Sequence, residues 1–511
     1  MNDTFRKGTL VQPIRRLSSE QMGYIHEASL AMLDEPGITC FNEKAAATYA
    51  DNGCTVTRPD ESQDCWNVRI PKKVIEEAVR NAPEEVHLGA RKPENTLKLH
   101  AKTPYVYFGT GSETNIFLDT EMDEFVRKSN ADEVRRLPVF IENRGSIANL
   151  CKSAKLCNRL DNVDFFIRNV NIQDERINES NKDVNIFFAS LLYMQKHVMA
   201  GLVDIQQMDQ VLRLAELLAG DRDSAASLVS FITCVIKSPL QMVEDTTEKL
   251  IAIAKKGVPV VLSSSPQGGS TAPVREEGMV SMINAEILAG ITLAQLVNPG
   301  APVLYGAVPV RARLDNLHDL YGAPEFIHYN QDCIQLAEHY GIPCYSTAGV
   351  GDAKVPGMQA TIEKIFSQLA VAQAGAQYIH YAFGLLDKTN VFSPLQAVLD
   401  DEHIGIVRHI IRQPQIGAKE AEQAVEEVRQ VTASSTQLFA RHIRKARRMG
   451  LVSSPYAFET AENEDQVMAK AHDRLQEYMQ EPAQLPAEAL IEAVYKEIDG
   501  LLPRETFKTT E

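Results

Sequence analysis

Four stretches decide the fold: VPVVLSSSPQGG (258–269), APVLYGAVPVRAR (301–313), GIPCYSTAGVGDAK (341–354) and AQYIHYAFGLLDK (376–388). Each is a short apolar run that ends in small or polar residues. The segments between them, 275–297, 323–340 and 357–374, are amphipathic and long enough for crossover helices. Strand, loop, helix and strand again is the rhythm of a β/α barrel, a fold whose chemistry sits at the C-terminal ends of its strands.

Working outward, four earlier runs join the series. YVYF ends at Phe108, VDFFIRNV at Val170, HVMAGL at Leu202 and LVSFITCV at Val235; with runs ending near Ser264, Val308, Ser346 and Tyr381 they make eight. HVMAGL is short and rests mainly on the count. The expectation is an α/β chain: a (β/α)8 TIM-type barrel over 101–390, an N-terminal α+β cap over 1–100 and a C-terminal helical extension over 391–511. In the cap, 18–33 reads as a helix with Ser18 as its N-cap, 71–81 as a helix opening on Pro71, and VHLGARKPENTLKLH (86–100) as a hairpin. The charged stretches 418–450 and 462–502 read as helices that wrap the barrel or mediate self-association.

The 511 residues exceed the usual barrel length of about 250 by enough for such additions. An apolar fraction of 44% and a charged fraction of 23% suit a globular enzyme, and a formal charge of −16 argues against nucleic acid or an anionic membrane as partner. Eight scattered cysteines without a CxxC pair read as reduced thiols, and the N-terminus has no apolar signal, so a cytoplasmic protein is expected.

If the strand ends form the active site, its candidates can be named. Tyr107, Phe108, Tyr305, Tyr345, Tyr381 and Phe383 supply aromatic faces, which attract cations, quaternary ammonium groups above all. Arg168, Arg311 and Arg313 offer guanidinium forks for a carboxylate. Together they suggest a zwitterion with an ammonium end and a carboxylate end. Gln173 and His380 complete the expected binding set. Gly109-Thr110-Gly111 allows close backbone approach but is too short to cradle phosphates. Cys234, Cys344 and His380 lie close enough to strand ends to raise a zinc site, without any ligand spacing to support it; no metal is expected. His197, at a strand start, belongs to the opposite end.

Four longer stretches resemble the trimethylamine methyltransferase family, and in particular its non-pyrrolysine branch with the glycine betaine methyltransferases. They are SPLQMVEDTTEKLIAIAKKGVPVVLSSSPQGGSTAPV (238–274), NAEILAGITLAQLVNPGAPVLYGAVP (284–309), YGAPEFIHYNQDCIQLAEHYGIPCYSTAGVGDAK (321–354) and FGLLDKTNVFSPLQAVLDDE (383–402). The resemblance implies a β/α barrel that moves a methyl group from an amine to the cobalt of a separate corrinoid protein, with no permanently bound cofactor. It also implies that members acting on trimethylamine carry pyrrolysine, whereas every residue here is ordinary, including 348–354. A quaternary ammonium needs no special activation, because its leaving group is already a neutral tertiary amine. The expected substrate is therefore glycine betaine, proline betaine, carnitine or a similar quaternary amine. Two other classes stay open at this point. One is a zinc-dependent or uroporphyrinogen-decarboxylase-like barrel enzyme, the other a non-catalytic betaine- or corrinoid-binding protein.

Overall fold

A computed structural model of the chain describes residues 5–59, 64–126, 134–220, 226–449, 452–453 and 456–509. Its centre is a curled sheet of eight parallel strands: β1 (Tyr105–Phe108), β2 (Phe165–Ile167), β3 (His197–Ala200), β4 (Val229–Thr233), β5 (Val260–Ser264), β6 (Val303–Ala307), β7 (Cys344–Thr347) and β8 (Tyr378–His380). Neighbours in sequence are neighbours in space from β2 to β8, and β8 returns to β1 with Tyr378 opposite Tyr107. The two ends of this hydrogen-bonded series, β1 and β2, meet at one parallel bridge between Gly109 and Phe165, where Asp164 N–H donates to the Phe108 carbonyl at 2.7 Å. Gly109 is required there: a Cβ would lie 2.2 Å from the Phe165 ring.

Each strand is followed by a helix: α1 (Ile147–Arg159), α2 (Glu179–Tyr193), α3 (Met208–Ala219), α4 (Glu244–Lys256), α5 (Glu276–Val297), α6 (Pro324–Tyr340), α7 (Met358–Ala374) and α8 (Pro394–Ile411). Glycines in the left-handed conformation close α4, α6 and α7, satisfying carbonyls that the helix leaves bare. By length and composition α5 suits a membrane span, but 89% of its apolar window is buried inside the protein, so it is a core helix. The strands are buried on both faces, which is why they read as nearly unbroken apolar runs.

Side chains divide by parity along each strand. Tyr107, Phe165, Ile167, Met199, Val261, Leu304, Tyr345 and Tyr378 form one cluster inside the curl. Phe108, Phe166, Val198, Phe231, Leu262, Tyr305, Cys344 and Ile379 belong to the larger core between strands and helices. A hairpin, Glu85–Leu88 with Leu97–His100, presses Val86, Leu88, Leu97 and Leu99 into the inner cluster and closes the end where the strands begin.

The sequence reading of the cap holds locally. Ser18 caps the helix Ser19–Asp34 with Gln21 as its reciprocal partner, and Pro71 precedes Lys72–Asn81. The N-terminal strands are tied to the curled sheet's loops, however: Thr39 and Cys40 pair with Gln241 and Met242 from the loop after β4. A long hairpin, Ile116–Val126 with Val134–Arg144, stands between β1 and α1, where sequence reading had assigned no strands.

Candidate active site

An aromatic column runs up the inside of the curl toward the C-terminal strand ends. Phe165 stacks on Tyr378 at 3.5 Å between ring centres, Tyr378 on Tyr345 at 5.7 Å and Tyr345 on His380 at 4.1 Å. Tyr381 leans on His380 at 3.8 Å and is half-buried, so it carries the column to the opening. Ile232, inside β4, is also half-buried, and Cys234 just beyond it is exposed. A residue in the middle of a barrel strand meets solvent only from the inside, so the curl is open at this end.

His380 has a defined tautomer. The Thr347 hydroxyl donates to the Ala307 carbonyl at 3.0 Å and lies 2.7 Å from His380 Nε2. With its proton committed to the carbonyl, the hydroxyl accepts, so Nε2 carries the hydrogen and Nδ1 presents a lone pair. That Nδ1 is buried without a partner under the loop after β1: a Cβ at Gly111 would stand 3.1 Å from it and 2.6 Å from Tyr381 Cδ1. Burial holds the imidazole well below its ordinary pKa, so the ring is neutral at physiological pH.

Its neighbours are neutral too. Burial raises the Tyr381 phenol, against a hydrogen bond with Ser112 that lowers it. Cys234 Sγ lies 2.8 Å from Ser263 Oγ, and burial raises this thiol as well. A thiol both exposed and surrounded by protein lies on the wall of a concave opening. Ser112 and Tyr381 adopt φ of 70° and 69°, a conformation that non-glycine residues rarely hold and that gathers at functional sites. The mouth thus presents aromatic faces and hydroxyls, with one unprotonated nitrogen buried beneath the loop after β1.

A buried ion pair moors the last two loops. Lys364 of α7 and Asp400 of α8, both fully buried, meet at 3.2 Å. Lys364 also donates to the carbonyls of Gly349 and Leu385, and Asp400 accepts from Gly384 N–H at 2.7 Å. The loops after β7 and β8 are therefore clamped to helices behind them.

Of the residues expected from sequence, Tyr345 and His380 come together at the mouth, with Tyr381 above them. Phe108, Tyr305 and Phe383 do not: strand parity turns Phe108 and Tyr305 toward the helices, and Phe383, in the loop after β8, packs into the same core. Phe108 lies against Arg408, and Tyr305 donates to Asn284 of α5 at 2.9 Å. Tyr107 faces inward but at the closed end, where its hydroxyl donates to the Arg6 carbonyl. The arginines are dispersed and each meets a carboxylate. Arg313 bonds Asp315 in its own exposed loop, Arg311 lies 3.7 Å from Glu325, and Arg168 meets Glu113. Gln173 accepts from Arg144 and donates to the Asn115 carbonyl on the outer loops. Cys344 faces the helix layer, away from Cys234 and His380, so the three cannot share one metal ion. Ile232 was missed as a site residue, while Thr347, Ser263 and Ser112 were legible at the strand ends but were not placed in the binding set. Their signal was parity: each lies an even number of residues from an inward-facing aromatic or aliphatic on its own strand, or follows the paired glycines.

A surface concavity of about 670 Å3 opens at the opposite end, near the starts of β4 and β5. Its charges are neutralised locally, Lys256 by Asp209 and Arg213 by Glu216.

Comparison with known proteins decides the family. The model of the trimethylamine methyltransferase (MTTB) family matches residues 6–450, most of the chain. The chain belongs to that family. It is 28% identical over 397 residues to trimethylamine methyltransferase MttB of Desulfitobacterium hafniense (strain DSM 10664 / DCB-2), covering 77% of this chain and 74% of that protein. It is 26% identical over 408 residues to the glycine betaine methyltransferase of D. hafniense (strain Y51), covering 79% of each, and 29% identical over 426 residues to trimethylamine methyltransferase MttB of Methanosarcina barkeri, covering 81% and 79%. Membership makes this family member a methyltransferase acting on methylated amines.

Proposed function

We propose that this chain is a closed (β/α)8 barrel enzyme of the cytoplasm that transfers a methyl group from a quaternary amine to the cobalt(I) of a corrinoid held by a partner protein. Glycine betaine, proline betaine and carnitine define the substrate class. The observation that carries the reading is the mouth itself: an aromatic column capped by a neutral imidazole and a neutral phenol, in a chain made only of ordinary residues.

A quaternary ammonium brings its positive charge to these rings, and the bare Nδ1 of His380, buried behind them, adds partial negative charge without a countercharge. Tyr381, Cys234 and Ile232 form the wall it touches; Tyr345 and Thr347 hold His380 in place. The methyl carbon leaves nitrogen for cobalt in a single in-line displacement. The C–N bond breaks with both electrons staying on nitrogen, so the product is a neutral tertiary amine and no proton moves. The protein's work is orientation. Because positive charge disappears from nitrogen in the transition state, a tighter aromatic cage would hold the substrate back. A half-open mouth with two rings and polar walls suits that demand.

Arg168 is the arginine we assign to a substrate carboxylate. It is 1% exposed, and its Nε and Nη1 are buried without partners while Glu113, on the mouth loop, occupies Nη2. A carboxylate arriving at the mouth would take the place of Glu113.

The test is a panel of quaternary amines and trimethylamine offered with free cob(I)alamin, methylation being read from the visible spectrum. Turnover of at least one quaternary amine and none of trimethylamine is expected; the reverse result refutes the reading. Arg168→Gln is expected to raise KM for a carboxylated betaine about tenfold and to leave a carboxylate-free analogue unaffected.

A further inference from the structure

Two neighbouring barrel helices have an unusual outer face. On α7 the exposed residues are Met358, Gln359, Ile362 and Phe366, and on α8 they are Ile406 and Ile410. None of the six is charged. Met358, Ile362 and Phe366 follow at intervals of four, so they form one stripe along the helix, and Phe366 is 62% exposed. Water-facing barrel helices carry charge: α4, for comparison, exposes Glu244, Asp245, Lys255 and Lys256. An apolar stripe without charge is the composition of the centre of a subunit interface.

The chain immediately after α8 has the complementary peculiarity. From residue 412 to 439 every residue except Val431 is exposed. Within this arm the helix Ala418–Thr432 turns Val425 and Val428 to solvent, and the helix Ala440–Arg448 does the same with Ile443. The two helices touch through His442 Nδ1 and the Glu427 carboxylate. Fifteen and nine residues are too few for helices stable in water without packing. The arm needs a surface to lie on.

We infer that a second copy of this chain supplies it, the arm of each copy lying along the α7/α8 face of the other. Charge favours this occupant. The second arm helix exposes Arg444, Lys445, Arg447 and Arg448 and contains no acidic residue, while the chain as a whole carries −16. Acidic groups border the stripe: half-buried Glu363 of α7 accepts from Gln359, and Glu464 accepts from Met358 N–H at 3.0 Å at the start of α7, with Glu459 and Glu462 exposed in the segment leading to it. One two-fold operation buries both apolar surfaces and places both basic helices on acidic rims, and it closes without exposing a further copy of either surface. The face lies on the flank of the barrel, so this pairing leaves the mouth free for the methyl acceptor.

Sedimentation of the full chain at micromolar concentration tests the inference. The wild-type chain is expected at twice its 56.7 kDa or a higher even multiple. Ile362→Glu/Phe366→Glu, and separately Val425→Asp/Val428→Asp, are expected to sediment at the single-chain mass with unchanged far-ultraviolet circular dichroism. Val425 and Val428 are 51% and 49% exposed on the arm, so that variant reports on association even where the α7 variant folds poorly. Arg444→Glu/Arg447→Glu is expected to weaken association and to remove its salt dependence. A single-chain mass for the wild type overturns the inference. So does an oligomer that survives both apolar double variants, and so does a stripe that binds only a corrinoid protein.

Discussion

Two inward-facing histidines, one at each end of the curled sheet, show how the same residue type serves opposite purposes. His197 begins β3 at the closed end, where Nδ1 meets the Gly89 carbonyl at 2.7 Å and Nε2 meets Ser230 Oγ at 2.6 Å. His380 ends β8 at the open end, with Nε2 bonded to Thr347 and Nδ1 bare. Both are fully enclosed and burial keeps both neutral. The difference lies in the accounting of hydrogen bonds. A buried ring with both nitrogens satisfied is a structural cross-link; one with a nitrogen left open retains chemistry to offer.

Replacing each by alanine should separate these roles most widely. His380→Ala removes the ring that supports Tyr381 and the lone pair beneath the mouth. Methyl transfer is expected to fall about a hundredfold, the usual cost of a small misplacement at a reacting centre, with a modest change in stability. His197→Ala leaves the Gly89 carbonyl and the Ser230 hydroxyl buried without partners and opens a cavity. It is expected to cost roughly 3 kcal/mol in urea unfolding, while kcat of the folded enzyme stays within about twofold. Equal activity losses in the two variants would erase the distinction.

The glycines near the mouth sharpen the comparison further. Gly111→Ala places a methyl group 2.6 Å from Tyr381 Cδ1 and 3.1 Å from His380 Nδ1, so the loop or both rings must move. About a tenfold loss of activity is expected, smaller than that of His380→Ala because the ring is displaced rather than lost. Gly53→Ala offers the control. That glycine lies on the N-terminal cap with nothing within 4 Å of a Cβ, so its left-handed φ of 85° lowers stability slightly and leaves activity unchanged.

How much of this was legible in the sequence follows from what a strand reveals. The eight strand ends, the hairpin at 86–100 and the caps at Ser18 and Pro71 depend on local signals, and they appear where those signals put them. Facing directions do not. A run such as PVLYGAV is buried on both sides, so no polar alternation marks Leu304 as inward and Tyr305 as outward. Phe108, Tyr305 and Phe383 were grouped with Tyr345 on proximity to strand ends; a shift of one residue sends Phe108 and Tyr305 to the helix layer, and the loop after β8 carries Phe383 there. The long hairpin at 116–144 escaped notice because its outer strands carry charges on the exposed face and resemble a polar loop. Arg311 and Arg313 misled for another reason. Each has a carboxylate within a few residues in sequence or across a loop, and long flexible side chains of opposite charge find one another before they find a substrate.

Titration offers a smaller effect with a definite sign. Burial lowers the folded-state pKa of His197 to about 4, below the ordinary 6.5 of an unfolded histidine. The unfolded chain therefore binds more protons in this window. The contribution of neutral His197 is complete above pH 6.5 and is lost progressively as pH falls from 6.5 toward 4. His380 shifts in the same direction. Urea midpoints should decline below pH 6.5, and in His197→Ala the decline should be shallower. Methyl transfer by the still-folded enzyme should show no step near pH 6.5, since neither ring gains a proton there.

The smallest effect is expected at Cys234, although its exposed place on the wall of the mouth invites the opposite view. Its thiol is raised by burial and lies within hydrogen-bond distance of Ser263, so at neutral pH it is neither a thiolate nor a ready nucleophile. Cys234→Ser keeps a hydroxyl facing Ser263 and changes little in volume. Methylation of cob(I)alamin is expected to stay within about threefold of the wild type. Modification by iodoacetamide should be slow at neutral pH and accelerate only in alkali, and the bulkier adduct should then block turnover by filling the opening. A Cys234→Ser enzyme that is inactive would place the thiol in the chemistry itself, and the mouth would then hold a nucleophile where neutral walls are now assigned.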